Sequence, residues 1–311
     1  MGKVFLSPIY KLRKRLLDSL KARLKLFLGI YEQQQNLDTL FYLLNEYVDI
    51  TKLPPTKDYN TRILQKCDAT LIAIFDKLCT KHELRYWLFA GTLLGAVRHK
   101  GFIPWDDDVD ISMPREDYEK AVKILPKELE KLGLEFNTRD LHPYVRFGIA
   151  YDHYNTGIWI DVFVVDSFKT DKTIEELYQN NAMDVELTVR THFNEMQEKN
   201  IEEQIQFRNR LLHHDENAKQ TMYVDNLEFT HFHPIFYEEN DLYPLKELPF
   251  EGYSFKCPNN CDSILQRKYG DYMKFPKKGV SHHGTSTWAQ KKGVDMEQVY
   301  KKLLQIYESI K

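Results

Sequence analysis

The sequence predicts an α/β fold of the α+β kind, a mixed sheet flanked by helices, with helices at the N-terminus and an aromatic-rich C-terminal region. Three observations point there. Acids alternate with Val109, Ile111 and Met113 as they would along a strand. A second apolar run, Gly157 to Asp166, surrounds a lone Asp161 with β-branched and aromatic residues. Between them and the N-terminus, residues 61–79 carry an apolar stripe at helical spacing.

The elements follow in order. Between Ile9 and Tyr31, Leu12, Leu16, Leu20, Leu24 and Phe27 or Leu28 recur every three or four residues with bases between them, which predicts a basic amphipathic helix. A second helical stretch covers 37–48, and Leu53-Pro-Pro-Thr56 punctuates the chain. From Thr61 to Cys79, Leu64, Cys67, Leu71, Ile74, Phe75 and Leu78 form one stripe, with Asp58 and Asp68 early and Lys77 late, as the helix dipole favours. Arg85 to Ala90 is expected as a strand ending at a Gly91-Thr92 turn, and the acidic strand runs over 107–113. Pro114 opens a helix carrying Tyr118, Val122 and Leu125, which Pro126 restarts or kinks on the way to Leu132. Strands at 145–151 and 158–165 complete the sheet. Residues 173–222 are polar and mostly helical, the region from Tyr223 has dense aromatics and short strands, and a last helix runs over 295–310.

With 311 residues and 42% hydrophobic content the chain can bury a sizeable core. Its net charge is −3, but the first 31 residues hold eight Lys/Arg against Asp18, which is +7 there and −10 for the rest. An acidic body excludes a nucleic-acid partner, because phosphate backbones require a basic footprint. The basic helix suits an anionic membrane surface, or else packs on the body and shows its bases to solvent. No apolar run approaches the roughly 20 residues of a membrane span, and no signal-peptide pattern is present. The expected location is the cytoplasm, with a peripheral place at the inner face of the cell membrane. Four cysteines make no disulfide framework; Cys67 and Cys79 read as core thiols. Cys257 and Cys261 could form half of a zinc site with His282 and His283, at a spacing that is not standard.

The densest chemistry lies in Gly91-Thr-Leu-Leu-Gly-Ala-Val-Arg-His-Lys-Gly-Phe-Ile-Pro-Trp-Asp-Asp-Asp-Val-Asp-Ile111. In an extended chain Asp106, Asp108 and Asp110 share a face, while Asp107 points the other way and reads as structural. Such acids could form a solvated turn. Phe102, Ile103 and Trp105 before them, and the apolar residues between them, put the segment in a core instead. Like charges there repel and cost several kcal/mol unpaired. A divalent hard cation relieves this, and oxygen-only ligands suit Mg²⁺ or Mn²⁺. Adding Asp161 from a neighbouring strand gives the acid set of a two-metal phosphoryl-transfer site.

This block, together with Ile160-Asp-Val-Phe163 and Tyr269-Gly-Asp-Tyr-Met-Lys-Phe-Pro276, resembles the LicD family of phosphocholine transferases. That family belongs with fukutin and fukutin-related protein in the polymerase-β-like nucleotidyltransferase superfamily. The blocks span roughly residues 60–285; the stretch 180–250 and Cys257-Pro-Asn-Asn-Cys261 match none of its motifs. The expected division is a basic amphipathic helical region at 1–56, read from its spacing and charge, and a nucleotidyltransferase-like catalytic core at 57–172, which the resemblance implies. A helical insertion and C-terminal region at 173–311 would complete the active site. The implied reaction moves phosphocholine from CDP-choline to a sugar hydroxyl of a lipid-linked glycan precursor of teichoic acid or lipopolysaccharide type. Asp108, Asp110 and Asp161 are then catalytic metal ligands, Asp161 also the base for the acceptor hydroxyl, and Asp106 an extra ligand. Gly91 and Thr92 resemble the superfamily's Gly-Ser/Thr phosphate turn. Arg98 and His99 fall to the donor phosphates, with Arg146 and Lys274 as further candidates. A quaternary ammonium is held by rings, and Tyr144, Tyr151, Tyr154 and Trp159 are the candidates for a cage.

Three other readings compete. A CDP-polyol-dependent ribitol- or glycerol-phosphate transferase would keep the site and replace rings by hydrogen-bonding groups. A GT-A glycosyltransferase does not place Gly-Thr before the acids with a third Asp on the next strand. An inactive, membrane-bound assembly partner would have no need of intact acids.

Overall fold

A computed structural model of the protein describes residues 8–27, 29–137, 147–178, 212, 214–225, 235–276 and 284–310, with isolated positions between 203 and 210. The chain forms two compact units, Met1–Ile50 with Met273–Gly279, and Thr51–Tyr272 with Val280–Lys311.

The smaller unit holds α1 (Pro8–Phe27) and α2 (Ile30–Tyr47). The second helix starts well before position 37, directly after Gly29, whose left-handed backbone at φ 68° is open to glycine and stands at the helix N-cap. Asn45 ties down the C-terminal piece of this unit, accepting the N–H of Phe275 at 2.6 Å. Leu17, Leu20 and Leu24 on α1 and Leu37, Leu40 and Leu43 on α2 are exposed.

The larger unit continues with α3 (Tyr59–Lys81), β1 (Trp87–Leu88), α4 (Ala90–His99), β2 (Asp110–Pro114), α5 (Arg115–Leu132), β3 (Glu135–Asn137), β4 (Phe147–Ala150), α6 (His153–Thr156) and β5 (Trp159–Lys169). After these come β6 (Thr221–Asp225), β7 (Ile235–Glu238), α7 (Glu239–Leu242), β8 (Lys246–Phe250), β9 (Tyr253–Cys257), α8 (Cys261–Tyr269), α9 (Trp288–Lys292) and α10 (Met296–Ser309). Asp58 caps α3 by accepting the Thr61 N–H at 2.8 Å. Leu64, Cys67, Leu71, Phe75 and Leu78 bury its stripe, and Cys79 is a core thiol beside them. Asp68 differs from expectation: it is fully buried, so it is no surface partner of the helix dipole. α5 passes through Pro126 unbroken, β3 is a strand the sequence pattern did not show, and β7 is one of the short strands expected after Tyr223.

Among the described residues the sheet is mixed and has seven strands in the order β1-β2-β5-β4-β3, with β6 on the far half of β5 and β7 beyond it. Only β2 and β5 run parallel, and their register sets Asp110 beside Asp161. Neighbouring strands lie about 4.8 Å apart, so paired residues present side chains to the same face at that spacing. That pairing is what makes a site.

Candidate active site

The approach to β2 is built backwards from expectation. The Phe89 N–H donates to the Asp110 carbonyl at 3.1 Å, and the chain then turns into α4 at Ala90. Gly91 and Thr92 therefore lie in the first turn of a helix and not in a turn closing a strand. Leu93, Leu94 and Ala96 give that helix a buried side, which outweighs the two glycines. Ala90 has φ 44°, a left-handed backbone that costs a non-glycine residue about 1–2 kcal/mol. A Cβ at Gly91 would stand 2.9 Å from Asp106 Oδ2, so any side chain there would displace that carboxylate. The Thr92 hydroxyl accepts the Asp110 N–H at 2.9 Å, so it fixes the head of β2.

Each acid is then placed differently. The Asp106 carbonyl accepts from Gln65 Nε2 of α3 at 2.9 Å, and its carboxylate lies over Gly91. Asp107 is buried and accepts from the Thr285 N–H and hydroxyl, both at 2.9 Å, which makes it structural, as its alternation implied. Because the Asp107 carbonyl also goes to the Thr285 hydroxyl, the ladder starts only at Asp110. Burial holds the Asp110 carboxyl well above the usual range, and Asp108, Asp161 and Asp106 push it further, with Lys268 opposing. Four carboxylates thus share one field.

Asp161 accepts a hydrogen bond from the indole N–H of Trp159, two residues earlier on the same strand face. The indole fits because residue 148, opposite on β4, is glycine: a Cβ there would lie 2.0 Å from the ring. The His153 ring stands 4.3 Å from that of Trp159, with Tyr154 and Trp288 each 5.5 Å from His153. Of the cage candidates, Tyr154 is exposed and joins this aromatic group, whereas Trp159 is buried and directed at Asp161. Tyr151 lines a shallow groove with Lys131, Lys302 and Ser309, a groove that includes none of the acids. Tyr144 and Arg146 lie outside the described residues.

Arg98 and His99 face inward. Arg98 is buried, donates from Nε to His99 Nε2 at 3.0 Å and from Nη1 to the Tyr272 carbonyl at 2.8 Å. Burial lowers its pKa to about 10, against the pull of Asp106. Burial and Arg98 lower that of His99 to about 4, so its ring is neutral at pH 7. The pair laces α4 to the Tyr269-Gly-Asp-Tyr272 segment. Lys274 belongs to the smaller unit. Lys268 also acts on the acids: its ammonium lies 4.4 Å over the Phe89 ring and opposes the rise at Asp110. Beside it the Tyr269 hydroxyl is pushed up by burial and by Asp110, Asp106 and Asp108. Sequence reasoning missed Lys268, Tyr269 and Asp68. Asp68 was detectable, since it stands four residues after Leu64 and three before Leu71, on the buried stripe.

The donor set is chemically right for a hard divalent cation: oxygen ligands only, around a buried carboxyl already displaced by three others. Among the described residues, no group of three or more His, Cys, Asp or Glu stands ready to hold an ion. The acids are turned instead to Gly91, Thr285 and Trp159. Cys257 and Cys261 are free thiols, with the Cys261 Sγ donating to the Pro258 carbonyl at 3.2 Å, and His282 and His283 lie outside the described residues.

A mixed sheet that gathers carboxylates at the head of one parallel strand pair has the layout of a nucleotidyltransferase-type domain. Residues 83–193 match the LicD/FKTN/FKRP nucleotidyltransferase domain. The lipopolysaccharide cholinephosphotransferase LicD of Haemophilus influenzae is 28% identical over 247 residues, 66% of this chain and 88% of the relative. An uncharacterized protein of Rickettsia prowazekii is 53% identical over 57 residues, 18% of this chain and 21% of its own length. The ribitol 5-phosphate transferase FKRP of Mus musculus is 26% identical over 187 residues, 60% of this chain and 28% of its own length. Over residues 83–193 the chain is thus similar to the LicD family, and its named relatives are transferases.

Proposed function

We propose that this protein transfers phosphocholine from CDP-choline to a sugar hydroxyl of a lipid-linked glycan. The observation that carries the reading is the parallel register of Asp110 and Asp161, which joins the two acidic segments in one buried field. Asp108, Asp110 and Asp161, with Asp106 beside them, would hold Mg²⁺ or Mn²⁺, and the ion would neutralise charge on the phosphates. The acceptor oxygen attacks the choline-bearing phosphorus, a new P–O bond forms, the bridging P–O bond breaks, and CMP leaves. The Asp161 carboxylate takes the hydroxyl proton. Lys268 balances charge on the departing phosphate, and the N-terminus of α4 offers N–H groups to an anion where the Asp106 carboxylate now lies. Tyr154, with His153 and Trp288, supplies ring faces for an ammonium near Asp161. The smaller unit fits the acceptor's setting: α1 carries seven Lys/Arg against Asp18 beside exposed Leu17, Leu20 and Leu24, a surface suited to an anionic membrane. No helix among the described residues is long and apolar enough to cross one.

Choline is favoured over a polyol because the match to the Haemophilus cholinephosphotransferase spans 88% of that protein, against 28% for the mouse ribitol 5-phosphate transferase. The aromatic group beside Asp161 points the same way. A thermal-shift series with CDP-choline, CDP-ethanolamine and CDP-ribitol in Mg²⁺, followed by turnover on a glycan acceptor, tests the reading. CDP-choline is expected to stabilise most and CDP-ethanolamine to be used at least about tenfold less well, because its primary ammonium loses water that ring faces do not replace. Better use of CDP-ribitol would transfer the site to the polyol reading.

A further inference from the structure

We propose that Trp159 is a positioning residue for Asp161, and that the buried Asp68 anchors Trp159. The inference rests on the phosphoryl-transfer reading and concerns a residue, Asp68, that belongs to none of the motifs. A carboxylate with no exposure is costly, and among the described residues no cation offsets this one. Burial pushes its carboxyl well up, and Asp108 and Asp107 add to that. Its Oδ2 has no hydrogen-bond partner among the described residues. Its Oδ1 accepts the backbone N–H of Trp159 at 3.1 Å. Strand geometry explains why: the Asp161 N–H points toward β2 and reaches the Val109 carbonyl at 2.9 Å. The Trp159 N–H, two residues earlier, points the same way, but there the Asp107 carbonyl is engaged by Thr285. Asp68 substitutes for the missing ladder partner.

The side chain then completes the chain of contacts. Trp159 is held from behind by Asp68, lies in the slot that Gly148 leaves, is backed by the His153 ring, and donates its indole N–H to Asp161 Oδ1. With one oxygen fixed, the plane of the Asp161 carboxylate is set, and with it the direction in which Oδ2 faces. A flexible carboxylate beside Asp110 would turn away from like charge. Partners of this kind around a metal-binding carboxylate typically contribute 10- to 100-fold in metal affinity or activity.

The test measures Mn²⁺ binding to the full chain by calorimetry, together with the Mg²⁺ concentration for half-maximal turnover. Trp159→Phe keeps a ring in the slot and removes the donor, and should weaken Mn²⁺ binding and raise the Mg²⁺ requirement about tenfold or more. The Michaelis constant for CDP-choline at saturating Mg²⁺ should change less than threefold or so, since the donor's own contacts stay. Asp68→Ala should act in the same direction, while Asp68→Asn, whose amide oxygen still accepts from Trp159, should retain most of the affinity. That pair decides the matter if the Phe variant does not fold. Wild-type affinity for Mn²⁺ in Trp159→Phe and Asp68→Ala would overturn the positioning role and leave the reaction standing. Absence of Mn²⁺ binding in the wild type would overturn both.

Discussion

The acidic layer and the N-terminal helix pair treat unfavourable groups in opposite ways. In the larger unit, charge is taken inside and the segments that carry it are tied to the fold: Asp106 through Gln65, Asp107 by Thr285, Asp110 by Thr92 and Phe89, Asp161 by Trp159. In the smaller unit, leucines are left outside, beside bases on α1 and among polar and acidic residues on α2. Buried repulsion is tolerable when function requires it and the backbone is overdetermined. Exposed leucines ask for a surface to cover them. Site and surface are therefore separable, and each difference between them can be probed.

The largest expected effect is at the acids. Asp110→Asn or Asp108→Asn should lower turnover at least about a thousandfold, roughly 4 kcal/mol of barrier, while the Asp110 variant melts higher than wild type without divalent ions. Parallel losses of activity and stability would mean that the acids are structural. Next comes the surface. Replacing Leu17, Leu20 and Leu24 by Ser should reduce partition onto anionic vesicles by up to about tenfold per leucine and leave turnover on a soluble acceptor unchanged, as flotation and kinetics would show. Lys268→Met should lower kcat/KM for the CDP donor about tenfold, and Lys268→Arg should recover part of it. Equal activity of both variants would place the phosphate charge elsewhere.

The smallest effect is in the pH dependence. The Asp110 carboxyl is raised in the folded state, so the fold binds a proton that the unfolded chain has released above its ordinary value near 3.8. Its contribution is present at low pH and is lost as pH rises through the folded value. Apo stability should thus decline slightly across that window, and Mg²⁺ should flatten the decline. A melting temperature independent of pH without metal would contradict the shift.

Much of this was legible in the sequence because alternation and helical spacing are local. The acids of 106–110, the strand around Asp161 and the stripe of α3 followed from them. The start of α4 at Ala90 did not, since a strained residue before glycine is a tertiary outcome that propensity opposes. Arg98 and His99 read as phosphate-binding because their charge is visible, whereas the Tyr272 carbonyl to which Arg98 donates is 174 residues away and has no local signal. Lys268 was overlooked for the converse reason: one lysine on a polar helix has no pattern until Phe89 is placed beneath it. Asp68 was read as a dipole partner although its position lay on the buried stripe.

The contacts that hold the acidic layer also constrain when it can exist. Gln65 reaches Asp106 across 41 positions, Asp68 reaches Trp159 across 91, and Asp107 reaches Thr285 across 178. Contacts at such separations must overcome loop-closure entropy before they reward it, and they form late. On a ribosome the nascent chain therefore carries its acids without their last support until Thr285 has emerged. Catalytic competence should appear abruptly and near the end of synthesis, so a chain arrested before Thr285 is expected to be inactive even though it contains Asp108, Asp110 and Asp161.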